Sequence, residues 1–105
     1  MGKEAVVDVI NALYKGAGIH KRYSGEVNEQ VARVLGKMLE EIRGCSDAFS
    51  WIPRPTGGRA TISWIARNFA RSTIDRLRAS QSLTCARAVI YKWDRKLDMA
   101  GRGIL

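Results

Sequence analysis

Two cysteines, one histidine and two prolines are all that this 105-residue chain holds of the residues that most often build disulfide frameworks, metal sites and rigid loops. Cys45 and Cys85 lie far apart in sequence. Two such residues do not make the framework of a small secreted domain, and both are read as reduced thiols. With His20 they show no metal-ligand spacing, and no acidic cluster is compact enough to hold magnesium. Walker, G-x-G-x-x-G and G-x-S-x-G motifs are missing. No catalytic residue, cofactor or metal is therefore expected, and His20 reads as a surface side chain in a polar connector.

Long apolar runs are missing too. No stretch approaches a membrane span. The opening MGKEAVVDVINALYKG carries acids early and does not read as a signal peptide. Residue 6 is valine where N-myristoylation calls for serine or threonine. The expectation is a soluble cytoplasmic protein with no membrane partner.

What is present is enough apolar material for one core. The chain is 46% hydrophobic, and its length suits a single domain over residues 1–105. The charge, +8 overall, is segregated. Residues 1–52 balance seven bases against seven acids. Residues 53–105 hold eleven bases and three acids, and nine of the eleven are arginine. Arginine presents a planar fork of donors matched to phosphate or carboxylate oxygens. An arginine-rich half beside a charge-neutral scaffold half points to an anionic partner.

The apolar periodicity is helical throughout. Val6, Val9, Ile10 and Leu13 mark a first helix over residues 3–15, closed by Gly16-Ala17-Gly18. Val27, Val31, Val34, Leu35, Met38 and Ile42 mark a second, with Ser24 as N-cap and Gly44 as its stop. Glu29–Arg33 and Lys37–Glu41 are spaced as i,i+4 ion pairs on its other side. Residues 50–59 hold both prolines and Gly57-Gly58, and read as a long loop. A third helix is expected over residues 60–79, and a fourth over 83–100 on the rhythm Leu83, Ala86, Ile90, Trp93, Leu97, Ala100. The expected fold is all-α: a small four-helix domain, with helices paired 1-2 and 3-4 around the long central loop.

At about 100° per residue, Trp64, Arg67, Arg71 and Arg78 fall on one side of the third helix. Arginine for phosphate with an aromatic for a base is the make-up of a nucleic-acid surface. Arg54 and Arg59 flank the Gly57-Gly58 loop, which leads into a helix start where free amides attract anions. The blander reading is a packed tryptophan and solvated arginines. Residues 62–78 lack the turn of a helix-turn-helix.

The sequence thus favours a small basic nucleic-acid-binding protein, DNA or RNA undecided, working through Arg54, Arg59, Trp64, Arg67, Arg71 and Arg78 without catalysis. The first two helices would serve as scaffold or homodimer surface. The alternative is a protein-interaction module, an inhibitor or adaptor docking its arginines on an acidic protein surface. A small enzyme acting on nucleic acid through scattered residues ranks third.

Overall fold

A computed structural model describes residues 2–69, 76 and 83–104. Among them the chain forms four α-helices and no strand. Helix α1, Gly2–Gly16, buries Val6, Val9, Ile10, Leu13 and Tyr14. Its end is closed by bonds from the Ala17 N–H to the Leu13 carbonyl (3.0 Å) and from the Ile19 N–H to the Tyr14 carbonyl (2.8 Å). The turn passes through Gly18 at φ +73°, a conformation that costs glycine little.

Helix α2, Glu29–Arg43, begins later than the apolar pattern suggests. Its N-cap is Asn28, not Ser24: the Asn28 side chain accepts from the Val31 N–H at 3.0 Å. The delay has a tertiary cause, because residues just before Asn28 are strapped to the far end of the chain. The Glu26 N–H bonds the Gly101 carbonyl (3.3 Å), and Asn28 Nδ2 donates to the Ala100 carbonyl (2.9 Å). Gly44 closes α2, its N–H reaching the Glu40 and Glu41 carbonyls.

From Gly44 to Thr61 the chain makes only two short 3-10 turns, Asp47–Phe49 and Thr56–Gly58. Phe49 and Ile52 anchor this long loop in the core. Helix α3, Ile62–Asn68, is capped by Thr61, whose Oγ1 accepts from the Trp64 N–H at 3.1 Å. It does not run on to residue 79 as one helix. Phe69 is extended (φ −123°, ψ 117°), and its ring turns into the core against Trp64 and Trp51. Asn68 donates its side-chain amide to the Trp64 carbonyl at 2.8 Å, the kind of local bond that competes with helix propagation.

Helix α4, Leu83–Gly101, buries Ala86, Ile90, Leu97 and Ala100 on the expected stripe. Among the described residues α2 packs closely on α4 and α1 on α3, so the helices do not pair 1-2 and 3-4. The α2–α4 pair is antiparallel. Asn28 meets Ala100 at one end, Lys92 meets Glu41 along the way, and Cys45 meets Cys85 at the other end. Cys45 and Cys85 are not free thiols: a disulfide joins them, with Cα atoms 5.7 Å apart.

The core draws on all four helices, with Ile10, Leu13, Leu35, Met38, Leu39, Ile65, Ile90 and Leu97 almost fully buried. Each such side chain contributes roughly 1.5–3 kcal/mol of transfer free energy. No described helix is long and apolar enough to cross a membrane.

Candidate basic site between α2 and the central loop

Gly36 sits in the middle of α2, and its missing side chain decides what lies next to it. A β-carbon there would fall 2.4 Å from Cβ of Ala60. The end of the central loop therefore lies directly against the α2 backbone, and Arg59 comes to the flank of α2 that carries Arg33, Lys37 and Glu40. These three α2 residues are spaced i, i+4, i+7 and share one face. Together the two elements enclose a pocket of about 430 Å³, with Arg33, Lys37, Glu40, Gly58 and Arg59 in its wall. The charged side chains are all exposed at its rim.

The loop is shaped by Gly57 and Gly58, at φ +71° and +72°. A β-carbon at either would meet nothing within 4 Å, so the backbone conformation, not space, calls for glycine. The Gly58 N–H bonds the Pro55 carbonyl at 3.2 Å and tightens the turn.

Three bases thus surround one acid. Among the described residues the ion pairs are Lys21 with Asp94, Lys21 with Asp98, and Lys92 with Glu41. Arg33, Lys37, Arg54, Arg59 and Arg67 take no part in any of them. The pairs Glu29–Arg33 and Lys37–Glu41, suggested by spacing, do not form. Glu41 instead takes the Lys92 ammonium from α4 at 3.1 Å. That exchange leaves Lys37 available to an outside anion, as the unformed Glu29 pair leaves Arg33, although the sequence placed both in the neutral scaffold.

The residues singled out from sequence are dispersed. Arg54 is exposed between Pro53 and Pro55, and Arg59 lines the pocket. Arg67 is exposed in the last turn of α3. Trp64 is half-buried and packs edge-on against Phe69, with centroids 5.6 Å apart, so it does not stand free on an exposed strip. Arg71 and Arg78 lie outside the described residues. The register that would carry them onto the face of Arg67 is interrupted at Phe69. At the start of α3 the Trp64 N–H is taken by Thr61 Oγ1.

A second concave surface, about 940 Å³, lies between α1 and the connector after it. Asp8, Lys15 and Arg22 mix their charges there with His20 and the apolar Val9 and Phe69. Beside it runs a polar network that fastens the connector to α4. The Tyr14 hydroxyl donates to the Asp94 carboxylate, and Lys21 Nζ lies 2.8 Å from Asp94 and 2.6 Å from Asp98. Burial, then the Asp94 acceptor, push the Tyr14 hydroxyl pKa well up. Partial burial works against the charged form of Lys21, but the carboxylates of Asp94 and Asp98 outweigh it and raise its pKa. Among the described residues no group of three or more His, Cys, Asp or Glu side chains is placed to hold a metal ion.

No protein-family model, no curated protein and no solved structure matches this chain.

Proposed function

We propose that the chain binds nucleic acid without transforming it, contacting phosphates through Arg33, Lys37 and Arg59, with Arg54 on the same loop. The observation that carries this reading is the gathering of three cations outside any internal ion pair around one small polar pocket. Guanidinium groups bind phosphate oxygens in bidentate fashion, and lysine adds a point charge. The net charge of +8 supplies long-range attraction to a polyanion. Such contacts release counterions, so affinity should fall steeply with salt.

The test is anisotropy of labelled duplex DNA, single-stranded DNA and RNA with the full chain, beside an Arg33→Ala/Arg59→Ala double variant. Binding that weakens with salt and is largely lost in the double variant supports the reading. Absence of binding to all three probes contradicts it.

The alternative is docking on an acidic protein surface, as an inhibitor or adaptor would, since arginine is a common interface anchor. Capture of one protein that survives nuclease treatment and is lost in the same double variant would select that reading. The disulfide bears on location. Such bonds persist in oxidising compartments, and a chain that meets its partner in the cytoplasm would hold Cys45 and Cys85 as a dithiol.

A further inference from the structure

We infer that the outer face of α4 is a stacking platform for an unpaired base, so that the nucleic acid this chain takes is single-stranded. The inference rests on the nucleic-acid reading above and narrows its substrate class.

The aromatic rings of the chain are buried or half-buried with one exception. Tyr14 and Tyr23 are 0% and 2% exposed, Phe49 and Phe69 are buried, and Trp51, Trp64 and Trp93 are half-buried against the core. Tyr91 alone among the described aromatics turns its ring outward, at 59% exposure. It lies in the middle of a long helix, with Arg87 four residues before it and Arg95 four residues after. Residues at that spacing line up along one face, and all three are exposed. Arg87 is steadied by donating to the Gly18 carbonyl at 3.1 Å.

The acids of α4 reduce this charge without cancelling it: the two share one lysine, which leaves one negative charge against two arginines. Asp94 and Asp98 are both engaged by Lys21, at 2.8 and 2.6 Å. The outer face therefore offers an exposed ring with one arginine a turn before it and another a turn after it. A ring on a convex helix reaches the face of a base only where the base is unstacked. Duplex bases cover one another, whereas single strands offer every π-face, and flanking arginines follow the backbone.

The test uses the full chain with an oligonucleotide of about 15 residues, as DNA, as RNA and as DNA duplex, in anisotropy titrations. Variants are Tyr91→Ala, Tyr91→Phe and Arg33→Ala/Arg59→Ala, each checked by thermal melting. The wild-type chain should prefer single strands. Tyr91→Ala should weaken single-strand binding by roughly five- to 150-fold and leave duplex binding unchanged, while Tyr91→Phe, which keeps the ring, should bind as wild type. The DNA and RNA arms show which backbone is preferred. If Tyr91→Ala leaves single-strand affinity unchanged, or weakens duplex equally, the stacking inference falls while the basic site stands. If the wild-type chain binds no probe, both fall.

Discussion

Gly36 and Ala60 touch so closely that a β-carbon on Gly36 would lie 2.4 Å from that of Ala60. This contact seats the central loop on α2 and puts Arg59 beside Arg33 and Lys37. Replacing Gly36 by alanine forces the loop away. Overpacking of this kind costs about 1–3 kcal/mol, offset by about 1 kcal/mol from the better helix propensity of alanine. The Gly36→Ala variant should therefore melt at or below the wild-type temperature and bind nucleic acid more weakly, although no charge has been removed. Melting curves and anisotropy titrations on the same preparation check both halves.

The Cys45–Cys85 disulfide closes a sequence separation of 40 residues. The chain-entropy relation gives such a loop about 4 kcal/mol of stability. Reductant should lower the melting temperature by several degrees, and a Cys45→Ser/Cys85→Ser variant should melt low with or without reductant. Identical melting of the oxidised and reduced wild-type chain would show that the bond contributes nothing.

Tyr14 and Lys21 set an alkaline limit. Both have pKa values raised in the folded chain, Tyr14 by burial and the Asp94 acceptor, Lys21 by Asp94 and Asp98 against partial burial. Above their ordinary values, about 10, the unfolded chain loses protons that the folded chain keeps. Their stabilisation is thus complete below about pH 10 and is lost as pH rises through the folded values. Unfolding free energy measured in denaturant should decline from about pH 10 upward. Tyr14→Phe should be less stable at neutral pH by about 1–3 kcal/mol and decline less steeply above pH 10.

Periodicity made α1 and α4 legible almost residue by residue, because each buries an unbroken stripe. Contacts between distant parts of the chain were not legible. The start of α2 depends on the Asn28–Ala100 bond, and α3 stops where Phe69 turns inward. The cysteines gave no sign of meeting, since their proximity follows from antiparallel packing of α2 on α4. Arg33 and Lys37 looked paired because Glu29 and Glu41 sit at helical spacing, and only α4 brings Lys92 to claim Glu41. One local signal did point to the site: a glycine inside an otherwise strong helix, where a close backbone approach is the usual reason.

The most direct test of phosphate contact by Arg33 and Arg59 is the slope of log affinity against log salt concentration for the wild-type chain and the Arg33→Ala/Arg59→Ala variant. Each phosphate contact removed should make the slope shallower by about 0.7–0.9, so the variant should be shallower by about 1.4–1.8 on a single strand or duplex. A weaker variant with an unchanged slope would mean that these arginines do not contact phosphate, and would contradict the account.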